Sequence, residues 1–187
     1  MNPLPDEAAK LPVRSVYQLS AIGGVLATLR LIAGRRVRFP RGHVGGLVTL
    51  PDGRTYRIFR EVVIDPRPGQ PDVPGAIFIP RFHVRGMSPR RNIAFSWLPA
   101  MLIIGLPGLR SKRWLIHDET GDFAGLYEWD TVADAKRYES SSAMDFMRNR
   151  SFPASVSSRV LRRDEWTGLG AALAAAPAGR HHVGSRR

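Results

Sequence analysis

The residues able to do chemistry concentrate between positions 81 and 129. Arg81, His83 and Arg85 recur at a two-residue spacing, which places all three on one face of a strand. Imidazole titrates near neutral pH, so His83 is the candidate acid–base group. The commoner role for a lone histidine is structural, hydrogen-bonded across a sheet. Arg81 can stabilise a developing anion, or it can pair with a carboxylate in the acidic second half of the chain. Lys112 offers a further cation. Trp97, Trp114, Tyr127 and Trp129 supply aromatic walls, although such residues more often pack a core or an interface. Aromatic walls with a few cations suit a planar, acidic or enolisable ligand.

Several other chemistries lack their signatures. The sequence has no glycine-rich phosphate loop followed by Lys and Ser or Thr, and no dinucleotide fingerprint opening a helix. Gly23-Gly24 sits inside a helical pattern and precedes neither motif. No histidine pair has metal-ligand spacing, and His181-His182 lies in the C-terminal tail. No nucleophile elbow is present. Cysteine is absent, which excludes disulfides, thiolate metal sites and thiol nucleophiles.

The net charge of +12 and the isoelectric point near 11.3 make nucleic acid an obvious rival partner. The aromatic-rich strand motif of RNA-recognition sheets is missing, however. The nearest stretch, Phe123-Ala124-Gly125-Leu126-Tyr127, does not match it, so no specific nucleic-acid partner is expected, only non-specific polyanion binding. The charge is also unevenly spread. Residues 73–117 carry Arg81, Arg85, Arg90, Arg91, Arg110, Lys112 and Arg113 without one Asp or Glu, and residues 118–165 reverse the balance. That pattern fits an anion-binding end, a solubility pattern or a self-complementary surface.

These side chains need elements to position them. Residues 1–14 read as a loose N-terminus and residues 15–65 as an extension of one helix and one hairpin. In the helix, Val16, Leu19, Ile22, Leu26, Leu29 and Ala33 form one apolar stripe, with Ser15 as its cap and Gly34 as its stop. Residues 16–33 are too short and too polar to span a membrane. They could lie on its surface with Arg35, Arg36 and Arg38 at anionic headgroups, and residues 15–38 are the candidate for such a weak contact. The simpler reading packs the helix on the domain. No cleavable signal is evident, and a cytoplasmic location is the expectation. Asp52-Gly53 marks a hairpin turn between strands over 44–50 and 55–65. Five prolines and glycines at 66–74 read as a linker. A tail over 166–187, rich in Ala and Gly, reads as disordered.

Residues 76–165 carry the main unit. Strands are expected at 76–85, 109–117, 123–129 and 155–161. Pro80 argues for an edge position or a bulge in the first. A helix follows Ser88-Pro89 and is kinked or split at Pro99. A second helix, capped by Asp130 or Thr131, covers 132–138, with a further piece at 143–148. The order strand, helix, two strands, helix, strand defines an α+β, ferredoxin-like antiparallel sheet with helices on one face. The other face must be covered, and a second copy of the chain is the usual cover. That open face, bearing Arg81, His83 and Arg85, is the expected site.

The run from Leu106-Pro107-Gly108-Leu109-Arg110-Ser111-Lys112-Arg113-Trp114, through Gly121-Asp122-Phe123-Ala124-Gly125-Leu126-Tyr127-Glu128-Trp129, to the helix at 133–138 resembles the YdhR-type mono-oxygenases. These belong to the dimeric α+β barrel group that includes the antibiotic-biosynthesis monooxygenases. The resemblance covers about residues 77–161, and the segment 15–65 falls outside it. It implies a homodimer whose sheets close into a barrel, and a small-molecule substrate. Some relatives oxygenate aromatic polyketides without metal or flavin; others degrade heme, isomerise substrates or have no known activity. In a cofactor-free oxygenation, His83 would be the base, Arg81 and Lys112 the anion holders, and Trp97, Trp114 and Tyr127 the walls. The alternative is a non-catalytic ligand-binding or interaction module.

Overall fold

The structure, a computed structural model, describes residues 21–166. The N-terminal segment, the first part of the extension helix and the tail beyond residue 166 lie outside the described residues. The described part opens with α1 (Ala21–Ala33), then β1 (Val37–Arg38), β2 (Leu47–Thr49) and β3 (Thr55–Ile64). The main unit follows as β4 (Ala76–Phe82), α2 (Pro89–Phe95), α3 (Trp97–Ile103), β5 (Leu109–Ile116), β6 (Phe123–Trp129), α4 (Val132–Glu139), α5 (Ser142–Asn149) and β7 (Ser157–Arg162).

All strand pairs are antiparallel, in the order β1-β3-β5-β6-β4-β7, with β2 also paired to β3. Within it, β5-β6-β4-β7 is the ferredoxin-like sheet expected from the sequence. The extension prolongs that sheet, because β3 pairs along β5 from Arg57 opposite Ile116 to Val63 opposite Ser111. The sheet does not close into a barrel: among the described residues its two edges do not pair.

The helix after Ser88 is split, with Ser96 between α2 and α3 and Pro99 in the first turn of α3. There its missing N–H removes no intrahelical bond. Thr131 is the cap of α4, its Oγ1 accepting from the Asp134 backbone N–H at 3.1 Å. Pro80 departs from expectation, since β4 is an inner strand flanked by β6 and β7. The pairing with β6 passes from Phe78–Tyr127 to Arg81–Ala124, leaving Pro80 without a ladder partner on that side. Across from it lies Gly125, where an added Cβ would meet Pro80 Cγ at 3.3 Å and the Tyr127 ring at 2.3 Å. A proline is tolerated inside the sheet because the strand opposite has no side chain at that point.

The two sheet faces are buried differently. On the helix side, Phe78, Leu109, Trp114, Tyr127 and Trp129 pack against Ile103, Ile104, Tyr138 and Met144. On the other side, Ile77, Ile79, Leu115, Ala124 and Leu126 pack against Val48, Leu50, Tyr56 and Ile58 of the extension hairpin. The face expected to await a second copy is thus buried by the chain itself. Ion pairs tie the hairpin down: Arg57 to Asp118 at 2.5 Å, Arg54 to Asp122 at 3.3 Å, and Arg81 to Asp52.

The orientation of α1 also corrects the sequence reading. Leu26 and Leu29 of the apolar stripe are 49% and 48% exposed, while Gly24, Thr28 and Leu31 face the protein. Backbone proximity decides this. A Cβ on Gly105 would meet Ala27 Cβ at 2.7 Å and Thr28 N at 2.8 Å, so α1 can cross the end of α3 only where small residues meet. Thr28 Oγ1 donates to the Met101 carbonyl at 2.6 Å. Such a bond contributes about 1 kcal/mol.

Candidate functional site

A cavity of about 460 Å³ lies between the helix-side face of the sheet and the two helix pairs. That is within the range that takes a small organic ligand. Its floor is built by alternate residues of neighbouring strands: Lys112 and Trp114 from β5, Phe123, Gly125 and Tyr127 from β6, and Phe82 from β4. Period-two alternation turns Ser111, Arg113 and Leu115 to the opposite face. One wall comes from Phe95, Leu98 and Leu102, the other from Tyr138, Phe146 and Met147. Gly24 of α1 also lines it, so the extension contributes to the cavity. Leu98 and Phe146 are both wall residues and exposed, at 62% and 48%, and they mark the mouth.

Lys112 dominates the electrostatics of the interior. It is 4% exposed, and its Nζ stands 4.3 Å from the Trp114 ring centroid and 4.4 Å from that of Tyr127. Among the described residues no Asp or Glu lines the cavity. Burial, reinforced by the positive charge of Arg60, pushes its amine well below the ordinary lysine range. Arg60 is fixed by its own contacts, donating to Ser96 Oγ at 2.6 Å and to the Ile93 carbonyl at 3.1 Å, and stacking 3.8 Å from the Trp97 ring centroid. Tyr127 and Tyr138 place their hydroxyls 3.5 Å apart in the wall. Burial raises the Tyr138 phenol to about 12. Burial, with the neighbouring Tyr138 adding to it, raises Tyr127 well above its usual value. Both are therefore protonated hydrogen-bond donors at neutral pH. Toward the mouth, Arg150 lies 4.1 Å from the Phe95 ring centroid and 5.2 Å from that of Phe146.

Of the residues singled out from the sequence, the structure brings together Lys112, Trp114 and Tyr127. Trp129 is fully buried behind the cavity, stacked at 6.4 Å on Tyr127. Trp97 lies on the outer side, 48% exposed and covering Arg60. The other three stand apart from the cavity. Arg81 is paired with Asp52 on the opposite face. The His83 Nδ1 is 2.8 Å from Asp122 Oδ1, and Arg85 is exposed, donating to the Asn149 carbonyl at 3.4 Å. The cavity thus lies on the other side of the sheet from Arg81. Tyr138 and Arg150 were not anticipated. One available signal was composition, because only three of the 28 cationic side chains are lysines and one falls in the middle of a strand.

The hairpin-covered face holds a different polar cluster. Arg113 Nε stands 2.8 Å from Glu61 Oε1, an ion pair whose N–H does not lie along the hydrogen-bond line, and its Nη1 donates to Glu128 at 3.2 Å. His43 Nδ1 lies 2.8 Å from Glu61, Ser111 donates to Glu128 at 2.5 Å, and Arg163 also pairs with Glu128. Within the basic stretch, Arg81, Arg110 and Arg113 are matched by carboxylates from other elements, Arg110 by Asp130 at 2.9 Å. Among the described residues no cluster of His, Asp or Glu could hold a metal ion, and no helix is long and apolar enough to cross a membrane.

No protein-family model matches the sequence, and no curated protein matches it. Among solved structures, the chain is similar to an uncharacterised ferredoxin-fold protein related to antibiotic biosynthesis monooxygenases from Listeria monocytogenes. The identity is 13% over 72% of this chain and 86% of that one, with a TM-score of 0.44. It is also similar to a heme-degrading enzyme from Listeria monocytogenes, at 15% identity over 71% and 90% of the two chains and a TM-score of 0.44. A monooxygenase-like protein from Listeria innocua gives 14% identity over 63% and 69%, with a TM-score of 0.45. The fold rests on the strand order described above rather than on these likenesses.

Proposed function

We propose that the protein binds a small planar molecule in the helix–sheet cavity, apolar over most of its surface and carrying one weakly acidic or carbonyl oxygen that meets Lys112. The observation that carries this reading is a buried lysine facing an aromatic-walled cavity that no carboxylate of the described residues lines. A neutral amine in apolar surroundings takes a proton from a phenol or enol. The ammonium so formed then pairs with the resulting anion, at a distance from water where that attraction is strong. The Tyr127 and Tyr138 hydroxyls are available as donors to the same anion, and Arg150 favours anions at the mouth.

Cofactor-independent mono-oxygenation is the catalytic form of this reading, with Lys112 in the base role first considered for His83. An activated methylene gives up a proton to Lys112, and the electron-rich anion reduces dioxygen. One oxygen atom enters the substrate as a carbonyl, and the other leaves as water with the two methylene hydrogens. The test pairs binding with turnover. 2-Naphthol titrated against tryptophan fluorescence should bind saturably, and anthrone should consume oxygen faster with wild type than with Lys112→Met. Binding without oxygen uptake would leave a ligand-binding module. No saturable binding would overturn the reading.

Two association surfaces belong to the same proposal. A homodimer would use a surface other than the hairpin-covered face, and light scattering at micromolar protein tests for it. The exposed Leu26 and Leu29 beside exposed Arg30 and Arg35 support weak contact with anionic membranes through residues 15–38. Failure to sediment with anionic liposomes at low salt would remove that contact.

A further inference from the structure

We infer that Lys112 is a carbonyl-condensing amine, and that the ligands of the cavity include apolar aromatic aldehydes and ketones held as an imine on its Nζ. This rests on the cavity being a ligand site, and adds a covalent step and a substrate class to it.

Three observations point the same way. The first is position. Lys112 reaches the cavity from the middle of β5, between the Trp114 and Tyr127 rings, so an arene inserted through the mouth at Leu98 and Phe146 brings its substituent toward the amine. The second is the lack of a counter-ion. Among the described residues no side-chain carboxylate pairs with Nζ, whereas Arg110 and Arg113 on the same strand both have one. A lysine kept only for packing or charge balance would be expected to carry such a partner. The third is Arg60, a cation pinned by Ser96, Ile93 and Trp97 so that it cannot swing away. A fixed neighbouring cation in an apolar pocket favours the free amine, the nucleophilic form. The shift of its titration described above agrees with this geometry.

The step balances without an oxidant or a co-reactant. The Nζ lone pair attacks the carbonyl carbon and forms a C–N bond. The carbonyl oxygen leaves as water with the two hydrogens lost from nitrogen, and a C=N bond remains. Tyr127 and Tyr138, protonated and in the wall, are the donors available to the departing oxygen. Hydrolysis reverses the step, so a catalytic use would activate the carbon next to the imine.

The test is reductive trapping. Wild type and Lys112→Met are treated with 2-naphthaldehyde and sodium cyanoborohydride, and adducts are located by peptide mapping. The chain has only three lysines, so Lys10 and Lys136 are internal references. An ordinary lysine, with a pKa of about 10.4, is only about one part in a thousand free amine at pH 7.4. Lys112 is expected to label at least about tenfold faster than the exposed Lys136, with 2-naphthol competing. Labelling of Lys112 no faster than Lys136 overturns the inference. If 2-naphthol still quenches tryptophan fluorescence saturably in that case, the binding proposal stands and only the imine falls. If it does not, both fall.

Discussion

Replacing Lys112 by methionine should make the protein more stable, and the gain should fade as the solution becomes alkaline. Lysine and methionine are both unbranched, and methionine sulfur makes favourable contacts with aromatic rings such as Trp114 and Tyr127. What the substitution removes is a buried amine with no carboxylate partner among the described residues. Leaving a polar group in apolar surroundings costs about 1–3 kcal/mol in mutational data, and a gain of at least that size is expected at pH 7, where the proton released on folding adds to the cost. In a domain of this length each kcal/mol raises the melting temperature by about 2–4 °C. The sign of the pH dependence follows from proton binding. Folding lowers the Lys112 pKa, so between the folded value and about 10.4 the unfolded chain binds more protons. Wild-type stability therefore gains from this group as pH rises. The protonation-linked part of the cost is full below the folded pKa and is gone above about 10.4, leaving only the burial of the neutral amine. Urea unfolding followed by circular dichroism at pH 7, 8.5 and 10 measures the difference between the two proteins, in which other titrations largely cancel. A variant less stable than wild type at pH 7, or a gap that stays constant to pH 10, would mean that Lys112 is charged and paired.

Other expectations follow from single contacts. Gly105→Val should destabilise by about 1–3 kcal/mol through overpacking, because α1 must move away from α3; urea unfolding should show it, and weaker 2-naphthol binding should accompany it since Gly24 lines the cavity. Glu61→Gln leaves buried Arg113 with Glu128 as its remaining carboxylate and should cost up to about 3–5 kcal/mol, the range for breaking a buried pair; a variant of unchanged stability would show that the cluster contributes nothing net. In a spectrophotometric titration, the Tyr138 phenol should ionise only at about 12 and Tyr127 well above its usual value. Tyr138→Phe should delete the Tyr138 step from that titration.

The ferredoxin-like order was legible because it is written in local patterns. Alternating apolar strands, Pro89 at the first helical position and Thr131 before a helix all act over a few residues. A kink or split at Pro99 was legible too, since proline can sit in a first turn but not in a helix interior; the break itself falls three residues earlier, at Ser96. Pro80 misled because its tolerance depends on Gly125, 45 positions away and on another strand. The α1 stripe misled for a similar reason. Leu26 and Leu29 look like the packing face, but Gly105 demands the small residues of the opposite side. The largest difference concerns the place of the cavity. The expected strand over 76–85 ends at Phe82, so His83 and Arg85 lie beyond it: Arg81 pairs with Asp52 under the hairpin, His83 contacts Asp122, and Arg85 sits in a turn and donates to the Asn149 carbonyl. Nothing local in residues 44–58 announces where the hairpin folds. Lys112, Trp114 and Tyr127 were chosen as residue types, and only the register of β5 against β6 set Lys112 opposite Tyr127.

The central claim is that a small molecule enters the cavity and meets a neutral Lys112. Protein labelled with carbon-13 lysine has three Cε positions to observe, for Lys10, Lys112 and Lys136. One signal, absent in Lys112→Met, should have free-amine character at a pH where the other two are ammonium, and should alone move on addition of 2-naphthol. Three ammonium signals at neutral pH, none moving with the ligand, would contradict the claim.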